Sequence, residues 1–472
     1  MEENWDVIII GTGTAGIPAA IFSGQRGAKV LAIDAADKIG GTLHLTTGQM
    51  SAAGTKLQKR LGIIDNADAH YEDVIRISEN TADKELVRLA VNNAAETYDW
   101  LTDNGFSPLK EHPVLGNAHE PYSERRYYWG PYAGLSILEA MQPLFDTEIA
   151  KGNVTLSLET KLLRLISNHK KVTGIEIEAK DGTKALINGK NILLATGGYS
   201  SNPEMFKQLS GPTLYWKGAY PYSKGDGLMF GKSVGGYLRG HENYLCGYGA
   251  ILESFDYPTE ITTRAICHPD IRQPWEIHVN NDGKRFFQED YDSVHVREKK
   301  LLAQPKLMSW IIFDDSIFKN SPPLLRGYSK KDEISFFSKH PMFFTAQTID
   351  ELASKSSINN EGLKKTIDEY NNAIENKTPD PFDRNHRPLK IEKPPFYAVC
   401  THGVSITSTV GLAVNQNLQV VDSKKIPINN LYAAGEILGS GQTMGKCSAG
   451  GMMLTPALTF GRLLGQKILE WN

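Results

Sequence analysis

Six residues near the start, Gly11-Thr12-Gly13-Thr14-Ala15-Gly16, constrain this chain more than any others. They are entered from the unbroken apolar run Val7-Ile8-Ile9-Ile10 and left through an Ala-rich segment that ends at Arg26-Gly27, so they sit where a buried strand turns into a helix. Gly11 permits the sharp turn, Gly13 lets the backbone approach a pyrophosphate without a Cβ in the way, and Gly16 lets helix and strand pack closely. The helix start then offers free N–H groups and the positive end of its dipole to the phosphates. A second buried run, Val30-Leu31-Ala32-Ile33, follows and ends at Asp34, where a carboxylate can accept hydrogen bonds from a ribose. The glycine pattern alone is a weak signal; in register with strand, helix, strand and acid it predicts a dinucleotide-binding βαβ unit.

The 472 residues provide for two or three domains and an ample core. A net charge of −3 gives no basis for binding nucleic acid or a membrane surface, and no apolar stretch reaches the roughly 18 residues a bilayer span needs. The first strand begins at Asp6, which leaves no room for a signal peptide. Cys246, Cys267, Cys400 and Cys447 lack CxxC spacing, which argues against a metal site or a redox disulfide and suits a cytoplasmic protein.

After Asp34 come Gly40-Gly41-Thr42 and the small-residue stretch 46–54, which reads as backbone laid along a ligand. Helices are predicted over 83–105 and 134–150, a strand over 154–158, and a hairpin over 172–190 turning at Asp181-Gly182. The loop 119–132 holds Tyr122, Tyr127, Tyr128, Trp129 and Tyr132, aromatics costly to leave exposed, so it should cover something. Residues 191–198 read as another buried strand ending in small residues, Ala195-Thr196-Gly197-Gly198, the pattern of a sheet edge that meets a nucleotide. Gly225-Asp226-Gly227 opens a helix over 228–233. Beyond residue 245 short strands, a tight turn at 281–287 and helices near 292–302 and 359–375 suggest an inserted α+β domain. The chain returns near Pro394, with a strand and acid at 431–436 and Gly450-Gly451 before a last helix over 455–468. The expected architecture is α/β: a Rossmann-like domain from residues 1–245 and 406–472, with a capping domain of 246–405 between them.

In their order, GTGTAG (11–16), Asp34, GGT (40–42), LATGGY (194–199), GDG (225–227), DGKRFFQED (282–290) and LYAAGE (431–436) resemble the FAD-dependent oxidoreductase superfamily of fumarate reductase and succinate dehydrogenase flavoproteins, which also contains the 3-ketosteroid dehydrogenases. The resemblance implies FAD. Its pyrophosphate would lie on Gly11, Gly13, Thr14, Ala15 and Gly16, and its ribose on Asp34. Gly40, Gly41, Thr42, Thr47 and Gly48 would run along the flavin, with Ala195, Thr196 and Gly197 at the nucleotide. Asp226, Gly435 and Glu436 would approach the ribityl and phosphate chain. The backbone of Met453 and Leu454 would meet the pyrimidine end of the isoalloxazine, where a helix N-terminus stabilises the charge of reduced flavin. Members with covalent flavin carry a histidine where this chain has Thr42, and His44 is two residues away, which implies non-covalent FAD. The arginine proton donor and the carboxylate-clamping arginine and histidine of fumarate reductases align with Ser293, Ser448 and Thr407, which argues against a dicarboxylate substrate.

The family moves a hydride between flavin N5 and a carbon next to a carbonyl, while an acid or base handles the neighbouring proton. Candidates here are Tyr291, His295, Arg297 and Tyr128, with the Gly450-Gly451 backbone as an oxyanion donor. His295 and Arg297, two apart on a helix, point to different faces, so one of them at most reaches the flavin. His402 has a comparable claim from its place on the return to the first domain. The expected activity is dehydrogenation or reduction of a carbon–carbon bond beside a carbonyl, ketosteroid dehydrogenase-like on a steroid or cyclic ketone. The alternatives are a fumarate- or urocanate-reductase-like enzyme and a non-catalytic flavin-binding subunit. No second strand-GxGxxG-helix unit exists for NAD(P)H, which leaves a quinone, another flavoprotein or oxygen as electron partner.

Overall fold

The structure, a computed structural model, describes residues 4–116, 119–405 and 407–470. The chain forms two compact units, one of Met1–Gly211, Ala219–Tyr244 and Thr407–Asn472, the other of Pro212–Gly218 and Leu245–Ile406. The short segment Pro212–Gly218, placed with the first domain on sequence, packs with the second unit.

The first unit is built on an eight-stranded mixed sheet. Its first strand, Asn4–Ile10, pairs in parallel with Val30–Ile33 on one side and Lys184–Leu194 on the other. Val154–Ser157 extends the sheet beyond Val30–Ile33, and Pro427–Ala433 runs parallel to Lys184–Leu194. The register sets Ile10 opposite both Ile33 and Leu194, and Leu194 opposite Ala433. Four strands therefore end at one level. The apolar run at the start of the chain makes this possible, because Ile8, Ile9, Val30, Ala32, Ile33, Ile192, Leu193 and Leu194 are all fully buried, as a sheet covered on both faces requires.

The helix Gly16–Gln25 covers this sheet, and the last helix, Leu454–Lys467, lies against it. Contact is backbone to backbone: a Cβ on Gly461 would fall 2.1 Å from the Ala15 carbonyl oxygen, and one on Gly465 2.6 Å from that of Ala19. The expected hairpin forms between Lys171–Glu178 and Lys184–Leu194, turning at Gly182. Its second strand continues into the segment read separately on sequence as 191–198, so one strand serves both hairpin and parallel core. The strand Lys161–Asn168, which pairs with Lys171–Glu178, was not anticipated; its outward charges blur the alternation that marks a strand.

The aromatic loop packs on this scaffold. Tyr127-Tyr128 pairs with Met50-Ser51, and beside them Arg126 is wholly buried. Its Nε and Nη2 donate to the two oxygens of Asp65 at 2.9 and 2.7 Å, and Nη1 donates to Asp73 at 2.6 Å. A buried guanidinium tied to two carboxylates fixes the loop in one place.

The second unit is α+β. Its six-stranded antiparallel sheet centres on Phe396–Val404, all nine residues of which are buried between Met308–Asp314 on one side and Gly247–Leu252 with Phe343–Ala346 on the other. The helices Val294–Leu302 and Asn360–Glu375 stand close to their sequence-predicted bounds. The turn at 280–285 closes through Asn280 N–H donating to Lys284 O and Gly283 N–H to Asn280 O. Arg285 then anchors it, gripping Glu289 through Nε and Nη2 and Asp380 through Nη1.

Burial also sets a pH dependence. His70 is enclosed among Tyr122, Arg126 and Asp73, neither ring nitrogen has a hydrogen-bond partner, and desolvation brings its pKa down from 6.5 to about 3. The unfolded chain therefore binds a proton below pH 6.5 that the folded chain refuses, and stability is lost as pH falls from 6.5 towards 3. His70→Phe is expected to flatten that loss relative to the parent by about 1.4 kcal/mol per pH unit between pH 6 and 4. Urea unfolding of both proteins across this range measures it, since carboxylates common to the two cancel; parallel profiles would contradict the assignment.

Candidate functional site

Because four parallel strands end level, the residues that follow them are gathered at one sheet edge, where ligands of α/β proteins bind. Gly11 follows Ile10, Asp34 follows Ile33, Ala195-Thr196-Gly197 follows Leu194, and Ala434-Gly435-Glu436 follows Ala433. The loops are stitched together by their backbones: Gly11 N–H donates to Ile33 O at 2.8 Å, Ala195 N–H to Ile10 O at 2.8 Å, and Ala434 N–H to Leu194 O at 3.1 Å. Asp34 contributes to the same stitching. Its Oδ2 accepts from Thr12 N–H at 2.7 Å and Thr12 Oγ1 at 2.8 Å, and its Oδ1 accepts from Ala36 N–H at 2.9 Å. The acid thus shapes the glycine loop while remaining half-buried.

The glycines divide into two kinds. Gly11 and Gly16 are closed in by protein, since a Cβ would lie 2.3 Å from Ala195 O in the first case and 1.9 Å from Gly11 O in the second. Gly13 is open: a Cβ there would meet nothing nearer than Gly41 Cα at 3.8 Å. Gly13 and Gly41 therefore meet backbone to backbone, Gly40 beside them is backed by the side chains of Leu138 and His44, and Gly435 comes up to the Cβ of Ala15. Thr14 Oγ1 and Thr196 Oγ1 are buried without a hydrogen-bond partner. At the start of the last helix the N–H groups of Met453 and Leu454 donate to no described residue. A cradle of glycine backbone, two orphaned hydroxyls and an open helix N-terminus fit a pyrophosphate-containing dinucleotide, which would satisfy all three.

Other predicted cofactor residues border this region less tightly. Thr42 is half-buried and Gly48 buried, while Thr47 and Asp226 are exposed. Gly227, next to Asp226, brings its helix so close that a Cβ would lie 1.9 Å from Thr196 Oγ1. The Glu436 carboxylate accepts from Ser408 N–H at 2.9 Å, and burial raises its pKa. His44 Nε2 donates to Ile39 O at 2.9 Å, which turns the ring back on its own turn.

Residues 6–452 match the family of FAD binding domains. The chain belongs to that family. It is an FAD-dependent oxidoreductase, as the ordered motifs predicted. Among curated proteins, a fumarate reductase (cytochrome) of Shewanella frigidimarina is 28% identical over 100% of this chain and 78% of its own length. A vinyl phenol reductase of Lactiplantibacillus plantarum is 27% identical over 92% of this chain and 90% of that protein. Among solved structures, the 3-ketosteroid Δ1-dehydrogenase of Sterolibacterium denitrificans superposes with a TM-score of 0.76 at 19% identity, covering 99% of this chain and 100% of that one, and shows the shared fold.

Within this FAD-binding family member the catalytic candidates have different surroundings. Tyr127 and Tyr128 are consecutive on a strand and point to opposite faces. Tyr128 is 0% exposed, packs in a tilted contact on Tyr98 with ring centroids 4.1 Å apart and shares its hydroxyl with Thr55 Oγ1 and Ala52 O, so its side chain is spent on packing. Tyr127 faces the glycines, its ring against Gly450 and its hydroxyl donating to Gln49 Oε1 at 2.8 Å. Tyr122 donates to Gly450 O. Gly451 is pinned on Ser51, where a Cβ would meet the Ser51 nitrogen at 2.4 Å. In the second unit Tyr291 is 45% exposed, His295 lies 3.8 Å through Nδ1 from Glu298, and Arg297 is buried. His402 is wholly buried, bonded through Nε2 to the Tyr257 hydroxyl at 2.8 Å, and desolvation lowers its pKa to about 4. The pairing of Tyr257 with His402 escaped the sequence reading, for the two lie 145 positions apart.

The two kinds of glycine give a sharp test. Gly13→Ala should leave the apoprotein's thermal midpoint unchanged and weaken FAD binding by about tenfold or more, since the methyl fills ligand space only. Gly16→Ala should fail to fold stably. Flavin fluorescence titration and thermal unfolding of both apoproteins read this, and a Gly13→Ala variant that binds FAD like the parent would contradict the cradle.

Proposed function

We propose that the protein transfers a hydrogen pair across a carbon–carbon bond next to a carbonyl, in the reductive direction, on FAD held non-covalently. The observation that carries this reading is the dinucleotide cradle at the level strand ends, joined to likeness over essentially the whole chain to proteins named as reductases. FAD supplies hydride exchange at N5 when bound. The chain's own groups do the rest. The free N–H groups of Met453 and Leu454, at the positive end of a fourteen-residue helix, hold negative charge. The backbone at Gly450-Gly451 offers donors for a developing oxyanion.

We assign proton delivery to Tyr291. Among the tyrosines considered, Tyr122, Tyr127 and Tyr128 spend their hydroxyls on Gly450, Gln49 and Thr55, whereas Tyr291 is exposed and its hydroxyl meets no described residue. Non-covalent flavin is supported by Thr42 at the attachment position and by His44 turned onto Ile39. A steroid-like or cyclic ketone stays as the second reading of the substrate, favoured by the aromatic rings of Tyr122 and Tyr127 beside Gly450. We place the protein in the cytoplasm because no disulfide joins its four cysteines. Among the described residues no helix is long and apolar enough to cross a membrane.

Photoreduction of the flavin without oxygen, followed by crotonate, urocanate, cyclohexenone or a 4-en-3-one steroid, tests the reading. Return of the oxidised flavin spectrum with at least one of them is expected, and silence with all of them would overturn it. Tyr291→Phe should slow that return about tenfold or more while FAD content stays at the parent level; an unchanged rate removes Tyr291 from proton transfer. Acid precipitation should leave the yellow colour in the supernatant, whereas colour that stays in the pellet would mean a covalent flavin.

A further inference from the structure

The second unit buries a guanidinium that has no anion. Arg297, in the helix Val294–Leu302, is 1% exposed. Its Nη1 donates to the Tyr291 carbonyl at 3.1 Å, while Nε and Nη2 have no hydrogen-bond partner. Those two nitrogens share one edge of the guanidinium plane, and that edge grips a carboxylate through two parallel bonds. Elsewhere in this chain it does so: Nε and Nη2 of Arg126 hold the two oxygens of Asp65, and those of Arg285 hold the two oxygens of Glu289. Arg384, equally buried, spends all three nitrogens on backbone carbonyls.

The groups that face Arg297 do not supply the missing charge. They are Cys267, Tyr248, Glu298, Asp270 and His278, the last kept neutral by burial, which lowers its pKa to about 4. Burial pushes the Cys267 thiol up to about 12 and the Tyr248 phenol well above its usual value, so both are neutral. The Tyr248 hydroxyl is engaged by His278 Nδ1 and Ser309 Oγ, each at 2.8 Å. Glu298 lies by His295 and also faces Arg264, and Asp270 is exposed. Among the described residues no carboxylate comes within ion-pair distance of Arg297. A buried cation without a counter-ion is strongly unfavourable, and a native fold tolerates it where a ligand brings the anion.

We propose that the Nε–Nη2 edge of Arg297 is a receptor for the carboxylate of an organic acid bound by the second unit. A single guanidinium carries one positive charge, and Glu298 and Asp270 already place negative charge around it, which disfavours a phosphate dianion relative to a monocarboxylate. The site is read from the second unit by itself, so it stands or falls independently of the flavin chemistry.

Titration calorimetry on the FAD-loaded protein tests it, with crotonate and benzoate as probes, crotonamide and benzamide as neutral twins, and inorganic phosphate as the competing anion. One of the acids should bind saturably, about tenfold or more tighter than its amide and than phosphate. Arg297→Gln should erase the preference for the acid. Arg297→Lys, which keeps the charge and loses the paired N–H edge, should lose most of it, and this variant decides the matter if the glutamine variant does not fold. Equal binding of acid and amide, binding of phosphate as tight as that of the acid, no binding of either acid, or a preference that survives in the lysine variant would each overturn the proposal. Heat rather than flavin colour is read, so failure here is distinct from failure of the reductase assay.

Discussion

The structure depends on backbones that approach one another without side chains between them. Gly16 lies on the carbonyl of Gly11, Gly11 on that of Ala195, and Gly461 of the last helix on that of Ala15. These contacts draw the first turn of the first helix, the end of a central strand and the C-terminal helix around one point, although that helix lies more than four hundred residues on in sequence. Dispersion and sheet hydrogen bonding then operate at close range, and any Cβ at these positions would force the elements apart. The room left at Gly13 exists because the walls around it are held so tightly.

From this follows the division of labour in the first unit. Residues at the strand ends also hold the loops with their side chains: Asp34 takes Thr12 and Ala36, and Glu436 takes Ser408. Beside them lie main-chain N–H groups, small residues and two unpartnered hydroxyls. Such a surface binds phosphate and ring systems by shape and partial charge, with no ionisable group needed in contact.

Much of this was legible in the sequence because each signal is local. A buried strand announces itself by an unbroken apolar run and a phosphate turn by its glycines, and the order of the pieces along the chain does the rest. The level strand ends explain why Gly11, Asp34, Ala195 and Gly435, scattered over the sequence, belong to one place. Side-chain roles were less legible because they depend on partners far away in the chain. Tyr127 and Tyr128 look equivalent as letters, yet a strand sends them to opposite faces, one onto Gly450 and the other into Tyr98 and Thr55. Arg126 stands in the sequence as one charge in a loop until Asp65 and Asp73 are seen around it, and Arg297, a catalytic candidate by its place after the hairpin, gives no sign in the sequence of its burial without a counter-ion. No spacing rule encodes either fact.

On this reading one cradle at the ends of four parallel strands holds the pyrophosphate of the dinucleotide through main-chain groups. A crystal structure of the protein with FAD tests it most directly. The pyrophosphate is expected over Gly13 and Ala15, between Gly40-Gly41 and Gly435, with the pyrimidine end of the flavin ring on the N–H groups of Met453 and Leu454. A pyrophosphate bound away from Gly13, or held by ionic side chains, would contradict it.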